Sequence, residues 1–210
     1  MSPLRIVELV SIKDTRQWVE DGERWVAIPG SGEIAQCARC GRDHEIHATV
    51  RLSGGALAVV GVSCAKATAV EKDVKSGSSS AKTVARLECE IAHDRGLLIR
   101  IGKVWETVED LPMPDAIWGK GKTFRGVEVD AVRVGDAEAI RRSSLCDDEH
   151  LCDSAAGRWR ENRRAELWGD GKIPNGHAVR IRIEGKAKSL ERSKRRLEAL
   201  TAESRLRSIE

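Results

Sequence analysis

The chain has 210 residues, of which 40% are hydrophobic, 33% charged and only 3% aromatic. Its 36 Lys and Arg against 33 Asp and Glu give a formal net charge of +3, which is too mild to demand a polyanionic partner. No apolar run approaches the roughly 20 residues that span a bilayer, and the first residues lack the pattern of a signal peptide. The sequence therefore excludes a transmembrane segment and predicts a cytoplasmic protein.

The first 33 residues read as an N-terminal strand and helix segment. Residues 4–12 are apolar and β-branched, which predicts a strand. Asp14 is a suitable N-cap and predicts a short helix through Glu20. Residues 24–28 predict a second strand, which Pro29 and Gly30 end.

Residues 34–75 begin with two cysteines at metal-ligand spacing. Cys37 and Cys40 are two residues apart, so both sulfurs can face one ion. Gly41 lets the chain turn sharply, which brings backbone N–H groups toward the thiolates. The alternation of residues 46–52, followed by the return of 57–62, predicts a hairpin that leads back to the cysteines.

Cys64 follows this hairpin, in the first turn of a helix predicted over 64–75. The helix dipole is expected to lower the pKa of a thiol at this position and to favour the thiolate. We therefore predict that Cys37, Cys40 and Cys64 bind one Zn²⁺. The alternative is that Cys64 is simply buried and that no metal binds.

The fourth zinc ligand is either His44 or His47. With the hairpin turn centred near Gly54, position 44 lies opposite 64 and position 47 opposite 61. His44 is then nearer the metal and is favoured, while His47 stays open.

The order of knuckle, hairpin and helix over 34–75 resembles a treble-clef or zinc-ribbon-type finger. With the downstream stretch 61–65, the knuckle is also similar to short zinc modules of phage and plasmid proteins of unknown role. The resemblance implies a structural zinc. A treble clef usually takes a second helix ligand three residues after the first, but position 67 is Ala.

The remainder, residues 81–210, is predicted to be a mixed α/β domain that follows a flexible linker at 76–80, so the fold class is α+β. A helix over 81–94 is expected to end at Gly96, with a strand over 97–104. The stretch after Trp118 recurs after Trp168, which suggests a duplicated turn, strand and helix. The expected strands are 127–134 and 178–184, and the last helix is 187–207; coincidence is the alternative.

A weaker cluster of ligand-type residues lies in this domain. Cys89 and His93 fall one helical turn apart, and a second metal ion could join them to a later group. The later group comprises Cys146, His150 and Cys152. The alternative is that these cysteines are buried thiols or belong to a solvated acidic loop.

Two basic stretches suggest contact with DNA or RNA phosphates. The residues concerned are Arg158, Arg160, Arg163, Arg164, Lys188, Arg192, Arg195 and Arg196. Alternatively, the last helix packs by Leu190, Leu197, Leu200 and Leu206, and its charges face water. We predict a zinc-stabilised nucleic-acid-binding protein; the alternative is a protein-interaction module such as a host-directed inhibitor. A metal-dependent enzyme with Glu45 as its base is disfavoured, because no hydrolase-type ligand spacing occurs.

Overall fold

A computed structural model describes residues 4–66, 68, 70–112, 122–124, 127–129, 148–169 and 171–207. The fold is α+β, as the sequence predicts. The strands are β1 (Ile6–Asp14), β2 (Trp18–Asp21), β3 (Arg24–Ala27), β4 (Ala35–Gln36), β5 (Asp43–His44), β6 (Ile46–Leu52), β7 (Leu57–Gly61), β8 (Lys122–Phe124) and β9 (Val127–Val129). The helices are α1 (Val62–Lys66), α2 (Glu71–Glu109), α3 (Asp148–Trp168) and α4 (Gly176–Arg207).

The chain divides into two compact units, which we describe separately. The first unit comprises residues 1–96 and 180–210, and the second comprises residues 97–179. The segment predicted as a separate N-terminal part and the segment 34–75 both belong to the first unit, where β1 pairs with β6.

A three-stranded antiparallel sheet of order β1-β6-β7 forms the core of the first unit. Leu9, Val50 and Val60 point to one face and are fully buried there, together with Val74 of α2. The predicted strands at the start of the chain and on both sides of Gly54 are therefore confirmed. Alternation fixes which residues face the core, and this in turn fixes the pairing.

The helix predicted from Asp14 to Glu20 is wrong. Asp14 ends β1, and its buried carboxylate accepts two hydrogen bonds from the guanidinium of Arg16 at 2.9 and 2.7 Å. Residues 18–21 instead form β2, which pairs with β3. The Asp14 carboxylate also accepts the N–H of Arg16 at 3.2 Å, in a local turn that leads into β2 and not into a helix.

The flexible linker predicted at 76–80 is also wrong, because these residues lie inside α2. Gly77, Ser78 and Ser80 are buried there. A Cβ at Gly77 would lie 2.8 Å from Cδ1 of Ile12, so the small residues let the helix approach β1 closely. The composition reflects a close helix–sheet contact rather than a disordered connection.

The strands predicted at 97–104 and 178–184 are helical, and Gly96 does not end a helix. In α2, Ile101, Val104 and Val108 are buried at helical spacing. In α4, Val179 is buried while Ile181 is exposed, which helical geometry explains. The strand predicted in the second copy of the suggested duplication is therefore wrong. Of the strand predicted at 127–134 in the first copy, Val127–Val129 is a strand and residues 130–134 lie outside the described part.

Gly96→Ala is expected to stabilise the protein by about 0.5–1 kcal/mol, because Gly in a helix interior loses more backbone entropy than Ala. A Cβ at this exposed position meets nothing within 4 Å. Urea unfolding measures the gain, and Gly55→Ala is the control with the opposite sign, because Gly55 has φ +83°. If Gly96→Ala instead lowered the free energy of unfolding, the result would contradict a helical conformation at Gly96 and would support the predicted helix end there.

Helices α2 and α4 run antiparallel within the first unit and join through buried charges. Arg182 and Lys186 of α4 donate to the two oxygens of Asp94 at 3.2 and 3.0 Å. Lys186 also lies 3.2 Å from Glu90, and Lys194 lies 2.8 Å from Glu88. The leucine stripe of α4 is half-buried at Leu190, Leu197 and Leu200, whereas Leu206 is exposed.

Asp94→Asn is expected to cost about 2 kcal/mol at pH 7, less than for a fully buried pair, because Lys186 keeps 23% of its side chain exposed. Burial opposes ionisation of Asp94, but its bonds to Lys186 and Arg182 prevail and lower its pKa. A lowered pKa stabilises the fold above the unfolded value of about 3.9, and this contribution is lost as pH falls through the folded value.

Urea unfolding at pH 7 and pH 3 checks this prediction, and the difference in stability between the two proteins should be smaller at pH 3 than at pH 7. Glu166→Gln is the matched control, since the Arg163–Glu166 pair is about half exposed on both sides. An unchanged difference between wild type and Asp94→Asn at pH 3 would contradict the ionic origin.

In the second unit, two cation–π contacts between arginine and tryptophan side chains join α2 and α3. The Arg100 guanidinium lies 4.1 Å from the ring centroid of Trp168, and that of Arg164 lies 4.4 Å from the ring centroid of Trp105. Arg100 also donates to the Trp168 carbonyl at 2.7 Å. These arginines are part of the packing of the unit.

Candidate metal centre

The turn of residues 37–42, here called the knuckle, is fixed by its own backbone. The N–H of Gly41 donates to the Cys37 carbonyl at 2.8 Å, and the N–H of Cys37 donates to the Arg42 carbonyl at 2.8 Å. Gly41 has φ +70°, a conformation that glycine adopts without strain. The knuckle therefore closes as the cysteine spacing predicts.

The hairpin of β6 and β7 brings Cys64 back to the knuckle. Its register pairs His47 with Gly61, as predicted, and α1 begins directly after Gly61. The N–H of Ala38 donates to the Val59 carbonyl at 2.8 Å, which ties the knuckle to β7. Arg39 donates from Nη1 to the Cys64 carbonyl at 2.7 Å and ties it to α1.

The sulfurs of Cys37, Cys40 and Cys64 lie within 4.8 Å of one another, close enough to bind one metal ion. The Cys40 and Cys64 sulfurs are 3.6 Å apart. Zn–S bonds of about 2.3 Å at tetrahedral angles place two sulfurs about 3.8 Å apart, so the measured spacing fits. Cys37 is 1% exposed, Cys64 is half-buried and Cys40 is exposed.

The surroundings shift the pKa values of two thiols in this cluster, those of Cys37 and Cys64, in opposite directions. Burial disfavours ionisation of Cys37, but the backbone N–H groups of Gly61, Cys40 and Arg39 outweigh it and lower the pKa to about 7. Burial, followed by the neighbouring sulfurs of Cys40 and Cys37, raises the pKa of Cys64 to about 11. The predicted lowering at Cys64 is therefore wrong, because α1 is short and the other two sulfurs disfavour a further negative charge.

His44 lies beside Cys40, although it is not among the groups whose ligand atoms all lie within 4.8 Å of one another. Its Nε2 is 3.9 Å from the Cys40 sulfur, near the roughly 3.6 Å that separates nitrogen and sulfur ligands of one zinc ion. A Cβ at Gly61 would lie 2.5 Å from that Nε2, so the ring occupies space that only glycine leaves free. Neither Gly61 nor Arg39 is identified by sequence reasoning, although Gly61 directly precedes the helix that carries Cys64.

His47 makes no sulfur contact in the part of the chain that the structure describes. Its Nδ1 is buried and has no hydrogen-bond partner among the described residues. Burial, then the charge of Lys13, lowers its pKa. Burial therefore favours the neutral form of this ring, which belongs to β6.

Glu45 is occupied by backbone groups. Its two carboxylate oxygens accept from the N–H of Gly30 at 3.0 Å and of Gly32 at 2.8 Å, and these bonds lower its pKa. A cleft of about 490 Å³ beside His44 is also lined by Arg16 and Glu45. Since Asp14 holds Arg16 and the amides hold Glu45, neither side chain is poised as a general base or acid there.

The second predicted metal cluster lies largely outside the described residues. Cys146 and the side chains of His150 and Cys152 are not described. His93 contacts Trp25 edge-on, with ring centroids 5.7 Å apart, and its Nδ1 is 3.7 Å from Asp94. The cysteine triad is the one group of metal-ligand type found within the described ranges.

Several of the predicted phosphate-binding residues are engaged within the protein. Arg163 pairs with Glu166, Arg164 stacks on Trp105, and Arg195 lies 3.1 Å from Glu191. The Arg158 side chain lies outside the described part. The members for which the described residues supply no ion pair are Arg160, Lys188, Arg192 and Arg196, and all four are exposed.

Comparison with protein-family models, curated proteins and solved structures gives no significant match. Within the described residues, each helix is too short or too polar to cross a membrane.

Proposed function

We propose that the chain is a zinc-binding protein in which Cys37, Cys40, Cys64 and His44 hold one structural Zn²⁺. The convergence of three sulfurs within 4.8 Å carries this proposal. Three thiolates and one imidazole form a closed tetrahedral set, which is typical of structural zinc. Glu45, the one base considered for a zinc enzyme, is bonded to two amides, and this favours a structural role over catalysis.

The ion would join two parts of the first unit, the knuckle and α1. Cys37 and Cys40 belong to the knuckle, which precedes the β6–β7 hairpin in the chain, whereas Cys64 belongs to α1, which follows it. Arg39 supplies a hydrogen bond across the same junction. Zinc binding therefore stabilises the position of α1 against the sheet, and its free energy adds to that of folding.

Metal analysis of the purified protein tests the proposal, with one zinc per chain expected. His44→Ala should weaken zinc binding. When Co²⁺ replaces zinc in this variant, its visible spectrum should change as expected for the loss of one nitrogen ligand. His47→Ala is the matched control and should bind as wild type. A zinc-free protein, or weaker binding in His47→Ala alone, would overturn the assignment.

A second function, nucleic-acid binding, is favoured by one observation on α4. Lys188, Arg192 and Arg196 are exposed on this helix, and none forms an ion pair within the described residues. Such cations are available to contact phosphates, and the affinity would fall steeply with salt. Lys186 and Lys194 do not contribute, because they pair with α2.

The joint substitution Arg192→Glu and Arg196→Glu is expected to weaken binding to DNA or RNA by at least about tenfold at low salt. The matched control changes Lys72 and Lys82, both exposed on α2, to Glu, and alters the net charge equally. Fluorescence anisotropy with duplex DNA and single-stranded RNA measures both. No binding by wild type at low salt would remove this function and favour the protein-interaction alternative.

A further inference from the structure

We propose that Cys40 and Cys64 form a redox-active pair, which a hydroperoxide joins in a disulfide while bound Zn²⁺ is released. The release of zinc rests on the proposed function, whereas the choice of sulfurs rests on geometry alone. The usual expectation for a Cys-x-x-Cys sequence is a bond between its own two members, here Cys37 and Cys40. The structure favours a different pair.

Access distinguishes the three sulfurs. Cys40 is exposed and Cys64 is half-buried, whereas Cys37 is 1% exposed and belongs to the hydrophobic core. An oxidant in solution therefore reaches Cys40 first. The sulfur of Cys64 lies 3.6 Å from that of Cys40.

Backbone restraint points the same way. The N–H and the carbonyl of Cys37 are both hydrogen-bonded within the knuckle, and the N–H of Gly61 contacts its sulfur. Turning this sulfur toward Cys40 would break its contact with the N–H of Gly61, and the hydrogen-bonded backbone limits any compensating shift. Cys64, by contrast, is held next to the knuckle by the 2.7 Å bond from Arg39 to its carbonyl, and its sulfur already lies 3.6 Å from that of Cys40.

The reaction has two steps. The Cys40 thiolate attacks the terminal oxygen of the hydroperoxide, which breaks the O–O bond, gives a sulfenic acid and releases, after protonation, an alcohol or, from hydrogen peroxide, water. The Cys64 thiolate then attacks the Cys40 sulfur, forms the S–S bond and expels water. With hydrogen peroxide, two thiolates, one peroxide and two protons give one disulfide and two waters. Zn²⁺ keeps its oxidation state and leaves because Cys37 and His44 alone remain as ligands.

The new bond would join the same two parts that the ion joins. Residue 40 lies in the knuckle and residue 64 in α1, so the disulfide replaces the metal as the connection across the hairpin. Oxidation would therefore change the chemistry of the site while the sheet stays folded. Far-ultraviolet circular dichroism of the oxidised protein should match that of the zinc-bound protein.

Hydrogen peroxide treatment of the reduced full chain tests the proposal. Zinc release is followed with a chromogenic chelator, free thiols are alkylated, and peptides are mapped by mass spectrometry. We expect one zinc released per disulfide, a Cys40–Cys64 linked peptide and alkylated Cys37. A Cys37–Cys40 peptide, or sulfinic acid at Cys40 without a disulfide, would overturn the proposal.

Two variants separate this inference from the zinc proposal. Cys37→Ser should bind zinc poorly and still form the Cys40–Cys64 disulfide, so failure to form it would count against the pair and not against the metal. If untreated wild type carries no zinc, the zinc proposal fails, and peptide mapping still tests the pair. Arg39→Ala should slow disulfide formation by about threefold or more, because it releases Cys64 from the knuckle, whereas exposed Arg42→Ala should not.

Discussion

Cys64→Ala is expected to abolish stoichiometric zinc binding, so that metal analysis falls from one ion per chain to nearly none. Two thiolates and one imidazole would remain, and they belong to the knuckle and β5 alone. The free energy of unfolding should fall by at least about 3 kcal/mol, because metal binding and folding are coupled. For a chain of this size, that loss lowers the melting temperature by about 6–12 °C.

The control for this prediction is Cys89→Ala. Cys89 is half-buried like Cys64, but it lies on α2 outside the triad. It should retain its zinc and lose only the stability that truncating a small buried side chain costs. Unchanged zinc content in Cys64→Ala would defeat the ligand assignment.

The convergence of the three cysteines could be predicted because its geometry follows from short-range rules. Two cysteines at a two-residue spacing and a glycine after them determine the knuckle. The register of the hairpin then follows from the alternation of β6 and β7 and from the turn near Gly54. Each of these features lies within thirty or so residues, and sequence carries such information directly.

The full length of helix α2 could not be predicted, because residues 76–80, near its N-terminal end, contact the sheet. Gly77 and its serine neighbours have low helix propensity, and by composition they indicate a linker. In the folded unit they provide the space in which α2 contacts Ile12. Tertiary packing outweighs propensity here, and the partner lies more than sixty residues away in sequence.

The mistaken strand at 178–184 has a related cause. Val179, Ile181 and Ile183 alternate with polar residues, so the local period favours a strand. Only Val179 and Ile183, which are one helical turn apart, are turned inward in the fold, and Ile181 is exposed. The apparent alternation therefore arises because Ile181, an apolar residue, faces water.

The state of each basic residue also depends on partners that are distant in sequence. Lys186 belongs to a basic stretch, yet it is held by Asp94 and Glu90 on another helix. Arg164 lies over Trp105 in the same way. A count of cations therefore overestimates the surface available to phosphate, and the exposed residues of α4 are the ones to test.

Gly61→Ala is expected to weaken zinc binding by about 10- to 100-fold, as disturbing the residues that orient a metal ligand generally does. The added Cβ would lie 2.5 to 2.7 Å from three atoms of the His44 ring, so the ring must move away from the cysteine sulfurs. The clash should also lower stability by about 1–3 kcal/mol. Competition with a chromogenic chelator measures the affinity, and urea unfolding measures the stability.

Gly54→Ala is the control, since a Cβ at that hairpin position meets nothing within 4 Å. The double variant Gly61→Ala with His44→Ala distinguishes the role of the ring from that of the backbone. If His44 is a ligand displaced by the clash, the second substitution should add little further loss of zinc affinity and should relieve part of the loss of stability. Fully additive losses of zinc affinity would contradict a shared cause and would place the fourth ligand elsewhere.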